Sequence, residues 1–168
     1  MQPMAWFERS FTFGFPTSML PFFLERLGGT IVRLTQKVEG IPEEHLAFRA
    51  EDKWSVKENI GHLLEVDTIS GKRIDEITGG QEVLSRADLQ TSGSYNEMPM
   101  RNIVEAFAAK RKANILRLQS LSEQQLEMTS LHPRLRVPMS PVDLAWFDAE
   151  HDDHHLVRVN VILDLNPA

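Results

Sequence analysis

Residues 54–80 read WSVKENIGHLLEVDTISGKRIDEITGG, and their spacing predicts one long α-helix. Ser55 and Glu58, three residues apart, form the pattern of a capping box, in which each side chain satisfies a free backbone N–H at a helix start. Apolar residues then recur at helical spacing and define one face: Val56, Ile60, Leu63, Ile74 and Ile77. The pair Gly79-Gly80 is a typical helix end. We therefore expect this helix to pack with one face against other helices.

Three other segments have the same helical periodicity. They run from about Ser18 to Val38, from about Pro99 to Gln119, and from Ser140 to about Asp164. Ser140 is a favourable N-cap for the last of them. A short turn of helix is expected at Ser122–Leu126. Because no stretch shows convincing strand alternation, the sequence predicts an all-α four-helix bundle in which residues 1–168 form a single domain.

Two connections, Gln81–Met98 and Thr129–Met139, are long for a bundle of this size. Their unequal lengths argue against the simplest up-down arrangement, and the first could carry the chain across the bundle. Long connections in compact domains are often functional. We expect both to border the binding pocket.

The composition narrows the classes of function. Hydrophobic residues make up 42% and charged residues 25%, which is the balance of a soluble globular protein. The net charge of −6 argues against a nucleic-acid-binding protein, because phosphate contacts need a basic surface. The N-terminal stretch shows neither a signal peptide nor a membrane span, so we expect a soluble, cytoplasmic protein. The absence of cysteine excludes disulfides, a thiolate nucleophile and every cysteine-based zinc site.

The densest chemical signal is the run EHDDHH at residues 150–155. His151 and His155 are four residues apart, so both rings leave the same helical face and can bind one metal ion. The two histidines continue the stripe expected to face the bundle interior: Leu144, Phe147, His151, His155, Arg158 and Ile162. We interpret the acidic neighbours Glu150, Asp152 and Asp153 as a solvated face.

His62 is the expected third ligand. It lies two turns into the second long helix, beside the inward-facing Leu63 and Val66. Three neutral imidazoles would leave positions open for water or substrate, and they suit zinc, nickel or another late first-row ion. Such an ion would activate a water or a thiol and polarise a carbonyl. The alternative is a surface histidine pair and a hydrogen-bonded core histidine, without metal.

Other polar residues stay open as contributors to the site. Asp67 is a candidate acceptor for an imidazole N–H. His132 lies in a loop that could approach the site, whereas His154 is expected to point away from the histidine pair. The chain has no Gly-rich phosphate loop, no zincin motif and no nucleophile elbow, so no catalytic residue is assigned.

Two stretches resemble the signatures of the DinB/YfiT-like superfamily. The first, WSVKENIGHLL at residues 54–64, has a tryptophan-serine start followed by a glutamate and a histidine. The second begins with LHPRL at residue 131 and ends with AEHDDHHL at residues 149–156. The resemblance spans almost the whole chain. It implies a four-helix bundle of unusual topology with long crossover loops, and a nickel or zinc ion bound by His62, His151 and His155.

The resemblance also implies a class of activity. Members include bacillithiol S-transferases and mycothiol-dependent maleylpyruvate isomerases, others are described only as metal-dependent hydrolases, and many form homodimers. We therefore expect a metal-dependent transferase or hydrolase that acts on a small molecule. Any low-molecular-weight thiol must come from a cofactor or substrate, because the chain has none. The alternative is a non-catalytic, metal-stabilised bundle that acts as a binding or stress-response protein.

Overall fold

The computed structural model describes residues 3–50, 53–87, 89 and 93–165. The helices in this part of the chain are α1 (Leu20–Val38), α2 (Glu43–Leu46), α3 (Val56–Thr78), α4 (Met100–Gln119), α5 (Glu123–Glu127) and α6 (Pro141–Leu165). Two short strands, β1 (Ser130–Leu131) and β2 (Pro138–Met139), pair antiparallel between α5 and α6. Strands of two residues leave no alternation in a sequence, so only the structure reveals them. The four long helices agree with the four predicted segments.

Side-chain caps begin both helices that carry the candidate ligands. Ser55 Oγ accepts from Glu58 N at 3.1 Å, and Glu58 Oε2 accepts from Ser55 N at 2.9 Å, so the predicted capping box is confirmed. Ser140 and Asp143 exchange the same pair of bonds at the start of α6. Asp143 Oδ1 also accepts from the backbone N–H groups of residues 14–15. These two bonds tie the N-terminal segment to the start of α6.

The order of the helices around the bundle differs from their order in the chain. α1 and α3 each pack against both α4 and α6, so α1 lies diagonally opposite α3, and α4 opposite α6. The chain therefore crosses the bundle in the connections 39–55 and 120–140. The expectation that residues 81–98 cross it is wrong, because they join the neighbours α3 and α4. The length of a connection does not indicate whether it crosses the bundle, because the additional residues can instead form part of a cavity wall.

Two apolar clusters fill the bundle, and a polar layer lies between them. One cluster includes Phe23, Ile77 and Phe147, and the other includes Leu34 and Ile60. Each long helix contributes one residue to the polar layer, at a position between its residues in the two clusters: Thr30, Asp67, Arg111 and Asp152. None of the described helices has both the length and the apolar composition that a membrane span requires.

Arg111 organises this layer. Its Nε donates to Asp67 Oδ1 at 2.9 Å, and its Nη2 donates to Asp152 Oδ1 at 3.0 Å. Thr30 Oγ1 donates to the other oxygen of Asp152 at 2.8 Å. Burial alone would lower the pKa of Arg111, but Asp152 and Asp67 outweigh it and raise that pKa above its ordinary value. The buried guanidinium thus joins α4 to α3 and α6.

Two predictions about acidic residues are wrong. Asp67 accepts from Arg111, and its backbone carbonyl accepts from Asn114, so it is not an acceptor for an imidazole N–H. Asp152 is buried rather than solvated, and its neighbours pair with arginines of the N-terminal segment and α1: Glu150 with Arg9 and Arg26, and Asp153 with Arg26 and Arg33. The reason is that α6 packs on both α1 and α3, so its buried face is wider than one apolar stripe.

Candidate metal centre

His62 of α3 meets His151 and His155 of α6 where the two helices pack together. The candidate ligand atoms of the three rings all lie within 4.8 Å of one another. The ring centroids of His151 and His155 are 4.5 Å apart, and the ring centroid of His62 lies 5.2 Å from that of His151 and 4.9 Å from that of His155. The structure therefore brings together the three histidines that the sequence predicts as ligands.

Asn59 orients the ring of His155. The amide Nδ2 of Asn59 donates to Ser55 O at 2.7 Å, so its Oδ1 is left to accept from His155 Nδ1 at 2.8 Å. That bond places the ring proton on Nδ1 and leaves the lone pair of Nε2 directed at the other two histidines. Asn59 was not singled out in the sequence, although it is one helical turn after the N-cap and is buried.

The donor set fits a divalent ion that prefers nitrogen. His155 Nε2 lies 3.2 Å from His151 Nε2. Two nitrogens bound at about 2.1 Å to one ion are separated by about 3.0 to 3.4 Å, so this spacing matches two adjacent ligands. Within the described chain, Nδ1 of His62 and Nδ1 of His151 are buried without a hydrogen-bond partner. The rings of these two histidines are therefore not held in place by hydrogen bonds through Nδ1.

Burial keeps all three rings neutral. It lowers the pKa of His62 to about 4 and that of His151 to about 3, and it lowers the pKa of His155 well below its ordinary value. The charge of Arg158 lowers the pKa of His62 further, and a proton on any one of the three rings would repel a proton on its neighbours. Neutral imidazole is the form that binds metal, so the site is ready to bind an ion at neutral pH.

These pKa values predict an unusually acid-resistant metal site. A depressed pKa means that protons bind the rings poorly, so proton competition begins at lower pH than for ordinary histidines with a pKa of about 6.5. We expect the zinc affinity to change little between pH 7.5 and about pH 5.5. Competition titration with a chromophoric chelator would measure it, beside a hexahistidine peptide as control. A steep loss of affinity that begins near pH 6.5 in both would contradict the prediction.

Replacing Asn59 by leucine should weaken metal binding without removing a ligand. Leucine has a similar volume but no oxygen to accept the His155 Nδ1 proton, so the ring loses its preferred tautomer and orientation. Loss of such an outer hydrogen bond costs about 10- to 100-fold in metal affinity. The same chelator titration measures this change. Asn102, which is exposed on α4, supplies the control substitution Asn102→Leu, and equal affinities in the two variants would refute the role of Asn59.

A cavity of about 850 Å³ opens in front of the three histidines. Its apolar lining includes Trp6, Trp54 and Phe147. The ring centroid of Trp54 lies 4.9 Å from that of His62, and the ring centroid of Trp6 lies 4.9 Å from that of His151. Sequence analysis missed Trp6, because the N-terminal segment has no regular pattern and reaches the site only through contacts with α6.

Both long connections border this cavity, as predicted. Residues 86, 87 and 89 of the first and residues 132–134 of the second line it. The two are joined to each other, since Leu84 N donates to Leu131 O at 3.0 Å and Leu131 N donates to Glu82 O at 2.9 Å. One wall of the cavity is therefore built from two connections that are far apart in the chain.

Gly61 lets the first connection approach α3 next to His62. A Cβ at this position would lie 2.4 Å from the ring of Tyr95, which is too close for any side chain. Tyr95 is further held by its hydroxyl, which donates to Glu65 Oε1 at 3.2 Å. The glycine in the sequence Gly61-His62 thus has a packing role that no spacing rule predicts.

His132 and His154 line the cavity but do not belong to the three-histidine cluster. His132 Nδ1 accepts from the backbone N–H groups of Arg134 and Leu135 at 3.3 and 3.1 Å. Its ring proton is therefore on Nε2. The ring of His154 lies 5.3 Å from that of His155 and 5.7 Å from that of Trp6, so it borders the site rather than pointing into solvent alone.

Comparison with solved structures supports the fold. YfiT from Bacillus subtilis, described as a probable metal-dependent hydrolase with an unusual four-helix bundle topology, superposes with a TM-score of 0.81 at 14% identity, over 93% of this chain and 92% of that one. A Streptococcus pneumoniae protein gives a TM-score of 0.68 at 12% identity, over 87% and 90% of the two chains. A DinB-like protein from Bacillus cereus gives 0.59 at 15% identity, over 89% and 96%.

The sequence comparisons give the family. A search of the curated proteins finds no match. The sequence model of the DinB superfamily, in contrast, matches residues 26–157, a range that contains α3, α4, both long connections and all three clustered histidines. With the bundle, its crossing connections and the histidine cluster described above, this match shows that the chain belongs to the DinB superfamily.

Proposed function

We propose that this chain is a metal-dependent enzyme acting on a small molecule, with one divalent ion held by His62, His151 and His155. The observation that carries the proposal is a cluster of three neutral imidazoles facing an open cavity of about 850 Å³. Structural zinc sites are closed by four protein ligands, whereas catalytic sites keep a position open. Among the described residues, no further His, Asp or Glu completes the cluster. A bound zinc or nickel ion would supply Lewis acidity to a carbonyl, a water or a thiol.

Hydrolysis and thiol S-transfer are the two reaction types proposed. The structural likeness to YfiT supports hydrolysis by analogy, because that protein is described as a probable metal-dependent hydrolase. Thiol S-transfer would need a thiol from a cofactor or a substrate, since the chain contains no cysteine. Both reactions use the same open position and differ only in the nucleophile. A metal ion that only stabilises the bundle would occupy a closed site, and the open cavity argues against that form of the non-catalytic alternative.

Proton transfer in this cavity is assigned to histidines. Among the described residues, no Asp or Glu lines it. His132 has its proton on Nε2, because its Nδ1 accepts backbone N–H groups. Burial lowers the pKa of His132 to about 4 and also lowers that of His154, so both rings are neutral at pH 7. His132 can only donate from its Nε2–H, because its Nδ1 is engaged by backbone N–H groups. The proton-accepting role is therefore assigned to His154, whose protonated ring can return the proton to a leaving group.

Cobalt substitution tests whether the ion has an exchangeable ligand. We expect the visible spectrum of the cobalt-loaded protein to change when azide or a small thiol is added, because an open site can take up the added ligand. The control is the His62→Ala variant, which should not give the cobalt spectrum at all. A spectrum that neither azide nor thiol alters would identify a closed site, and the enzymatic proposal would then fail in favour of a metal-stabilised bundle.

A further inference from the structure

Four arginines line the cavity in front of the histidines: Arg73, Arg86, Arg134 and Arg158. In the part of the chain that the structure describes, no carboxylate oxygen lies within 4.0 Å of any of their nitrogens. Elsewhere, every described arginine except Arg136 is in an ion pair with Asp or Glu. The cavity is therefore cationic, although the chain has a net charge of −6.

Arg73 is the most informative of the four, because it is buried. Its side chain projects from α3, and the residue is only 8% exposed. Its one hydrogen bond within the described chain is a long one, from Nη2 to Ser85 O at 3.5 Å, and its Nε is buried without a partner. Burial lowers the pKa of Arg73, and the charges of Asp148 and Glu76 only partly offset this effect.

Neither nearby carboxylate satisfies this guanidinium. Glu76 is engaged with Ser85 and Lys72, and Asp148 with Ser70. A buried guanidinium without hydrogen-bond partners is costly, and the cost falls when an anion provides them. Guanidinium groups bind carboxylates and phosphates through two parallel N–H···O bonds. Arg73 is therefore placed to receive an anion that enters from the cavity.

The loop between β1 and β2 presents a second cation to the same region. Arg134 lies in a tight turn that is closed by bonds from Arg136 N to His132 O and from His132 N to Val137 O, both at 2.9 Å. Its guanidinium also lies 5.1 Å from the ring centre of Phe7. Arg73, His132 and Arg134 all line the same cavity, and the positive charges of the two arginines help to lower the pKa of His132. The loop thus places one cationic group and one N–H donor in the cavity that Arg73 lines from α3.

We propose that Arg73, Arg134 and the Nε2–H of His132 bind a carboxylate or phosphate group of the substrate. The apolar part of that molecule would lie along Phe147 and Trp6. The ring centroid of Phe147 is 6.0 Å from that of His132 and 5.3 Å from that of Trp6. Its reactive bond would then face the histidine cluster. This inference deepens the proposed function, because it names the substrate of that site as an anion with an apolar portion.

Calorimetric titration with matched probes tests the inference. Phenylacetate and phenyl phosphate are the anionic probes, and phenylacetamide is a neutral probe of the same shape. We expect both anions to bind at least about tenfold more tightly than the amide, which corresponds to one charge-assisted hydrogen-bonded pair. The difference should be present in metal-free protein as well as in zinc-loaded protein, because the arginines and not the ion hold the anion. The tighter of the two anions identifies the group as carboxylate or phosphate.

Three variants complete the experiment. Arg73→Gln and Arg134→Gln should each abolish the preference for the anions, whereas Arg136→Gln, on the same loop but outside the cavity, should keep it. Arg134 is exposed, so its variant tests the site even if Arg73→Gln folds poorly. Equal binding of the amide, or an equal effect of Arg136→Gln, would overturn the inference.

The metal dependence separates this inference from the proposed function. If anion binding requires zinc and is unchanged by Arg134→Gln, the anion binds the metal ion. The inference would then be wrong, whereas the metal site would be supported. Anion preference that persists in a protein unable to bind zinc would support the inference and sink the metal-dependent function.

Discussion

Replacing His151 by alanine should abolish tight zinc and nickel binding while the bundle stays helical. The Nε2 atoms of His151 and His155 lie 3.2 Å apart, so the substitution removes one of two adjacent donors and leaves only two ligands on separate helices. The loss should exceed the roughly 10- to 100-fold effect of removing an outer hydrogen bond, because a bond to the ion itself is lost. Folding should survive, since His151 lies outside the two apolar clusters.

Plasma mass spectrometry on untagged protein measures the metal, and circular dichroism measures the helical content. The matched control is His45→Ala, which removes a histidine of α2 that is not in the cluster. Near-stoichiometric metal in the wild type and in His45→Ala, but not in His151→Ala, is the expected result. Stoichiometric metal in His151→Ala would show that the three-histidine site is wrong.

Replacing Arg111 by methionine should be among the most destabilising single substitutions in the chain. Arg111 is 1% exposed and is the cation paired with both Asp67 and Asp152. Methionine fills much of the volume but leaves two buried carboxylates without their cation. Removing one partner of a buried ion pair costs about 3 to 5 kcal/mol, which is a large part of the stability of a small domain. The buried Asp148 also interacts electrostatically with Arg111, and the substitution removes this interaction as well.

Urea unfolding followed by circular dichroism measures this loss. Arg101→Met is the control, because Arg101 lies on the same helix in an exposed pair with Glu105, and such surface pairs contribute little to stability. The difference in unfolding free energy between the wild type and Arg111→Met should become smaller as the pH falls from 7 to 5. Burial raises the pKa of Asp67 to about 6 although Arg111 lowers it, so loss of the guanidinium raises this folded-state pKa further, and the folded variant takes up a proton before the unfolded chain does. Equal stability of the two variants would refute the role of Arg111.

Asp67 and Asp152 show a limit of helical periodicity, which did not predict that either carboxylate is buried in an ion pair. Both lie on the predicted helices, and the register of those helices is correct. What the pattern lacked was their common partner on α4, because an arginine is almost never fully buried unless it is paired, and a linear pattern does not show the pairing. A buried ion network becomes visible only when the three helices that contribute to it are placed side by side, since each member looks like a surface charge by itself.

The candidate metal centre likewise contains residues that the sequence predicted and residues that it did not. The i,i+4 spacing of His151 and His155, and the position of His62 beside inward-facing residues, follow from helical geometry and were predicted to meet. Asn59, Trp6 and Arg73 were not identified. Their roles depend on the packing of α3 against α6, on an irregular N-terminal segment and on the fold of two connections. That the three histidines bind metal stays a prediction, which the variants above test.

By itself, the sequence determined the number and the limits of the long helices, the capped starts of α3 and α6, and the histidines that come together. These features depend on interactions within about one turn of helix, which a linear pattern encodes directly. Only the tertiary structure decided the diagonal order of the helices, the buried polar layer and the cationic cavity. They arise because residues from four helices and two loops share one interior. Whether a charged group there has an ion-pair partner depends on neighbours that are distant in the chain.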